Sequence, residues 1–117
     1  MPNIKVNHLE VSEVMKLSAE LTQRLSKEFD CPSDWITFSI GTVADNTIFS
    51  EGKALKDTVT IFVEWFDRGQ EVKDAVAKIL TEGVYKLERK GIEKLETVTV
   101  VFIAFDPKDY YENGIHF

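Results

Sequence analysis

The feature that most constrains this chain is a structural plan written twice. In the first copy Ile4, Val6 and His8 alternate with Lys5, Asn7 and Leu9, the period-two signature of a short strand. Val14, Leu17, Leu21 and Leu25 follow at spacings of three and four, which predicts a helix with one apolar stripe and Ser12 as its N-cap. Pro32 forces Cys31 out of helical geometry and ends that helix. Ile36, Phe38 and Ile40 then alternate with Thr37 and Ser39 as a second strand. In the second copy "DTVTIFVEWF" reads as a strand, and Val72, Val76, Ile79, Gly83 and Leu87 form a helical stripe that stops at Gly91. "TVTVVFIAF" is a fourth strand. The two stripes begin at Val14 and Val72, 58 residues apart, the mark of a duplicated unit.

A strand–helix–strand unit closes with a right-handed crossover, so each copy supplies a parallel strand pair. The expected architecture is α+β: duplicated β-α-β units forming a four-stranded mixed sheet with two helices on one face. It makes one domain over residues 1–117, with unit one about 2–56 and unit two about 57–117. Between the units, "VADNTIFSEGKALKD" reads as an irregular hairpin or loop. Near the end, Asn113-Gly114 is a strong two-residue hairpin signal. Gly83 in mid-helix predicts close packing of helix against sheet, since glycine there costs about 1 kcal/mol relative to alanine.

Two helices cover only one face of such a sheet. Yet the third strand has Val59, Ile61, Val63 and Trp65 on one side and Phe62 and Phe66 on the other. The fourth carries Val98, Val100 and Phe102 opposite Val101, Ile103 and Phe105. Large apolar patches left in water mark interfaces. The expected cover is a second copy of the chain.

Charge excludes several partners. The net charge of −6 and pI near 4.9 oppose contact with phosphate backbones, and "LERKGIEK", the one basic cluster, is diluted by glutamates. Neither nucleic acid nor an anionic membrane is an expected partner. The single cysteine, Cys31, has no disulfide mate in the chain, and no Cys/His spacing suits a metal. No cofactor-binding motif is present, so no cofactor is expected. No 18-residue apolar run or apolar leader exists, and the expected location is cytoplasmic.

Pro2 opens the first strand immediately after Met1. With Met1 removed, Pro2 carries a free secondary amine; with Met1 kept, its nitrogen is an amide without proton or basicity. The leading "MP" feeding a strand, with two β-α-β units of this size, resembles the tautomerase superfamily. Its members include 4-oxalocrotonate tautomerase, 5-carboxymethyl-2-hydroxymuconate isomerase and macrophage migration inhibitory factor (MIF). "WFDRGQEV" and "DPKDYYENGIHF" are similar more narrowly to a branch of tautomerase-like bacterial proteins without an assigned reaction.

The resemblance implies a homotrimer with sites between subunits, and Pro2 as the general base that moves a proton alpha to a carbonyl. The physical chemistry is compatible: an α-amine titrates near 7.7–8.0, and burial lowers that value toward neutrality. By the same resemblance Arg68, in "FDRGQE", holds a substrate carboxylate. Of the aromatics at strand ends, Trp65, Phe66, Tyr110 and Tyr111 are candidates to line a pocket near Pro2, with Trp65, Phe66 and Tyr111 the expected substrate contacts. Two positions depart from the pattern. The family's second arginine falls at Thr37, and the lysine that precedes a proline in the cytokine-like members falls at Cys31. The expected function is that of a tautomerase or isomerase acting on a small 2-oxo or enol acid. The alternative is a non-catalytic trimeric ligand-binding or scaffold protein of the same fold.

Overall fold

The computed structural model describes residues 1–42, 48–54, 58–87 and 97–116. The central sheet has the order β2-β1-β5-β6, built from β1 (Asn3–Asn7), β2 (Thr37–Thr42), β5 (Thr58–Trp65) and β6 (Thr97–Ala104). β1 runs parallel to β2 and β5 parallel to β6, while β1 and β5 are antiparallel. The sheet is therefore mixed, with the two crossover units joined at their inner strands. Register places Ile4 beside Phe38 and Val63, and Val6 beside Ile40 and Ile61. Their side chains share the face that the helices cover.

Helix α1 (Val11–Phe29) buries Val14, Leu17, Leu21, Leu25 and Phe29, the predicted stripe extended by one turn. It starts earlier than Ser12 suggests, because Glu10 is the N-cap. The Glu13 carboxylate accepts the Glu10 backbone N–H at 2.9 Å, half of a capping box. At the other end Asp30 turns left-handed (φ 53°), and its N–H and that of Cys31 close on the Lys27 and Ser26 carbonyls. That is the helix stop that Pro32 announced.

Helix α2 (Gln70–Tyr85) buries Val76, Ile79, Leu80, Gly83 and Val84. Leu87 packs against the core just beyond its end, and Gly91 lies outside the described residues. Gly83 has a different reason from the expected one. A Cβ built on it would lie 2.6 Å from Leu21 Cδ1 of α1, so the glycine lets helix approach helix, not sheet.

The segment between the units contains β3 (Phe49–Ser50) and β4 (Lys53–Ala54), and the tail contains β7 (Tyr111–Glu112) and β8 (Ile115–His116). In each hairpin both turn residues take positive φ: Glu51 and Gly52 at 51° and 76°, Asn113 and Gly114 at 53° and 77°. These are type I′ turns, whose twist suits a two-residue hairpin.

The core lies between the helices and one sheet face, where Ile4, Val6, Val59, Ile61, Val63 and Trp65 are buried. The opposite face is less apolar than the strand pattern alone suggests. Register lines up Lys5, Phe62 and Val101 across it, and Asn3, Glu64 and Ile103. Val101 and Ile103 are exposed there, and Phe62 is half-buried.

Candidate functional site

Pro2 stands at the head of β1, one residue before its pairing with β2 and β5 begins. Less than 2% of its surface is exposed. Its carbonyl accepts the Thr37 backbone N–H at 2.9 Å and the Thr37 hydroxyl at 3.3 Å. That hydroxyl also reaches Asn3 Oδ1 at 3.0 Å. Thr37 thus pins the backbone of Pro2.

The pairing of Asn3 with Glu64 brings Pro2 to the same end of the sheet as Trp65 and the segment that follows it. Trp65 is buried, and Phe66 is half-buried against it at 4.5 Å between ring centres. The Tyr110 ring meets Trp65 and Phe66 edge-on at 5.8 and 5.2 Å and stacks on Phe105 at 5.8 Å. Tyr111, the expected pocket aromatic, instead lies against His116 in the tail hairpin, with 60% of its surface exposed. Of the two adjacent tyrosines it is Tyr110 that packs with Trp65 and Phe66 in one chain.

The chain's amino terminus completes this corner. The Met1 ammonium donates to Tyr110 Oη at 2.6 Å and to Glu112 Oε1 at 3.3 Å, and Tyr110 Oη donates to Glu112 Oε1 at 2.7 Å. Burial, reinforced by the Glu112 charge, pushes the Tyr110 phenol up to about 12. The Tyr110 hydrogen bond, then that of the amino terminus, holds the Glu112 carboxyl below its usual range.

Arg68 is exposed on the turn between β5 and α2. Asp67 beside it is not its partner. The Asp67 carboxylate accepts the Gly69 N–H at 2.8 Å and pairs with Lys73 Nζ at 3.3 Å, which lowers its titration. Asp67 therefore braces the turn, and Gly69, at φ 95°, is the N-cap. Arg68 makes no ion pair with another described residue. It lines a crevice with Phe29, Trp65, Phe66, Val72 and Phe102. That crevice holds about 10 Å³, room for a single water and far too little for an organic acid.

A larger groove of about 480 Å³ runs between α1 and β2, along Val11, Met15, Phe38 and Ile40, and none of the expected site residues lines it. The expected site residues and this larger groove are in different places. Cys31 sits where both Arg68 and the amino terminus act on its thiol, but burial outweighs them and pushes the thiol up, away from nucleophilic character. Among the described residues no group of three His, Cys, Asp or Glu is placed to hold a metal. No described helix is long and apolar enough to cross a membrane.

A mixed four-stranded sheet with an inner antiparallel pair, two helices on one face and a proline at the head of β1 defines a tautomerase/MIF-like fold. Solved structures carry the same architecture. Wild-type fused 4-OT, described as an asymmetric trimer, superposes with a TM-score of 0.76 at 17% identity over 96% of this chain and 93% of its own. MIF from Oncomelania hupensis does so at 0.74 and 20% identity, over 99% of this chain and 81% of its own. Within that fold the chain belongs to the DUF1904 family, a domain of unknown function whose model matches residues 1–116. A DUF1904 protein from Sebaldella termitidis is similar at 37% identity over the whole of both chains, with a TM-score of 0.79. No curated protein matches the chain.

Proposed function

We propose that this chain is a tautomerase or isomerase that moves a proton alpha to the carbonyl of a small 2-oxo or enol acid. Once Met1 is removed, the Pro2 amine takes that proton and returns it elsewhere on the substrate, and Arg68 holds the carboxylate. The observation that carries the reading is the corner itself. A buried Pro2, anchored by its carbonyl, shares one sheet end with Trp65, Phe66 and an arginine that makes no ion pair with another described residue. Apolar walls favour the neutral amine that proton abstraction requires. A guanidinium stabilises the enolate charge that develops. The 10 Å³ crevice of one chain supports placing the site between subunits of a homotrimer, where a neighbour supplies the missing wall. Trimeric fused 4-OT, with the same fold, supports that assembly.

The test compares Met1-free and Met1-retaining protein on phenylpyruvate and 2-hydroxymuconate. Turnover is expected from the Met1-free form alone and is lost in Pro2→Ala. Turnover that survives Pro2→Ala rejects Pro2 as the base. A second reading, a ligand-binding or scaffold protein of this fold, is favoured by Thr37. Its hydroxyl is committed to Pro2 and Asn3, where a second anion-holding arginine would stand. Binding of such acids without turnover in the Met1-free form is the result that selects it.

A further inference from the structure

One polar row crosses the open face of the sheet at the end where Pro2 sits. Register sets Thr37 of β2, Asn3 of β1 and Glu64 of β5 side by side, and all three are half-buried. Such groups are costly unless each finds a partner, and here the partners converge on one side chain. Asn3 Nδ2 donates to Glu64 Oε1 at 2.8 Å and to Ser39 Oγ at 3.1 Å. A carboxylate only accepts, so the other end of the amide, Oδ1, faces β2. There the Thr37 hydroxyl reaches it at 3.0 Å. The same hydroxyl lies 3.3 Å from the Pro2 carbonyl oxygen, which also accepts the Thr37 backbone N–H at 2.9 Å. None of these contacts involves Met1.

The row fixes a plane. The peptide unit between Pro2 and Asn3 is flat. Thr37 holds its carbonyl directly, and holds its far side through the Asn3 side chain. The pyrrolidine ring is rigid about φ, so the Pro2 nitrogen is joined to that plane through one soft torsion, the ψ of Pro2. The buried ring restrains that torsion from its own side. We propose that Asn3 is a positioning residue for Pro2, acting with Thr37 to aim the proline nitrogen.

The catalytic consequence rests on the reading of Pro2 as the base; the aim itself does not. A base must stand within hydrogen-bond reach of the proton it takes, and a misplacement of about 1 Å costs up to about a hundredfold in rate. Asn3 touches neither the proton nor the substrate in this role; it acts through Pro2.

The test reads Pro2 both by nuclear magnetic resonance and by turnover, in Met1-free protein labelled with 13C-proline. The chain has 3 prolines, so Pro32 and Pro107 serve as internal controls. Wild-type Pro2 should give a Cα–H order parameter near the rigid value of about 0.85. Thr37→Val, which keeps the shape and removes the hydroxyl, should lower it toward about 0.6, as should Asn3→Leu, with Pro32 and Pro107 unchanged. On phenylpyruvate both variants should lose about tenfold in kcat while KM changes less than about twofold, since Arg68 and not this row holds the carboxylate. Thr37→Ser, which restores the hydroxyl, should recover most of the loss. The double variant should be no worse than the poorer single one, because both break the same bridge. Unchanged order at Pro2 in both single variants overturns the proposal. So does equal loss of order at all three prolines, or a Thr37→Ser chain as poor as Thr37→Val. A wild type without turnover, in which Thr37→Val still loosens Pro2 alone, rejects the base reading and upholds the positioning. Wild-type turnover with Pro2 still fixed in the variants rejects the positioning alone.

Discussion

Tyr110 joins three physical effects in one side chain: a ring packed among aromatics, a hydroxyl donated to Glu112, and a raised phenol titration. Its folded value, about 12 against an ordinary 10.0, means that folding favours the neutral phenol. The corresponding stability is complete below pH 10 and lost as pH rises through about 12. An ultraviolet titration should show a phenol component near 12 that Tyr110→Phe removes; a wild type lacking that component does not form the buried pair. Glu112 and Asp67 have the opposite sign. Both are lowered by hydrogen bonds they accept, from Tyr110 and from the Gly69 N–H respectively. Their contribution is present above the usual carboxylate range and fades as pH falls through their lowered values. Protection of the Gly69 amide, its exchange measured against the intrinsic rate at each pH, should therefore fall in acid, and Asp67→Asn should remove that dependence. Exchange at Gly69 that is unchanged by Asp67→Asn contradicts the bracing role.

At the scale of elements, the contact of α1 with α2 sets how the two copies dock. The Leu21 side chain occupies the space a Gly83 Cβ would take, with Cδ1 at 2.6 Å and Cγ at 3.3 Å, and Leu21 is itself buried. Alanine at 83 gains about 1 kcal/mol of helix propensity but overpacks a filled site, at a cost of about 1–3 kcal/mol. Gly83→Ala should lower stability by about 1 kcal/mol in a denaturant melt. Leu21→Val in the same chain should recover part of it, a coupling that independent sites lack. A Gly83→Ala variant more stable than wild type shows that Leu21 yields freely and that the helices are not held at contact distance.

At the scale of the whole molecule, the sheet face away from the helices remains to be covered. It carries exposed Val101 and Ile103 and half-buried Phe62 among threonines, Lys5 and Glu64. This mixture suits an interface better than a core, since a core admits few unpaired polar groups. The proposed homotrimer should be seen by light scattering at micromolar concentration. Phe62→Asp should dissociate it while leaving helical circular dichroism largely intact. Deleting the tail after Pro107 should also undo assembly, because that hairpin exposes Tyr111 and Ile115 and a lone hairpin is marginal in water. A monomeric wild type defeats the proposed assembly. A truncated chain that stays trimeric removes the tail from it.

Local rules made much of this legible in the residues. The stripes of Val14–Leu25 and Val76–Ile79 and the alternation in β5 depend on neighbours in the chain and on one buried side, so period alone determines them. The same holds for the Asn113-Gly114 turn, whose positive φ angles are a property of those two residues. What depends on residues far apart was not legible. Gly83 reads as a helix–sheet contact until Leu21, on the other helix, is seen opposite it. Tyr110 and Tyr111 are adjacent, and only the packing of the tail decides which enters the aromatic corner. Glu112 lies 111 residues from the Met1 amine it holds. No periodicity encodes the meeting of Met1 with Glu112; the four-stranded sheet and the folded-back tail create it.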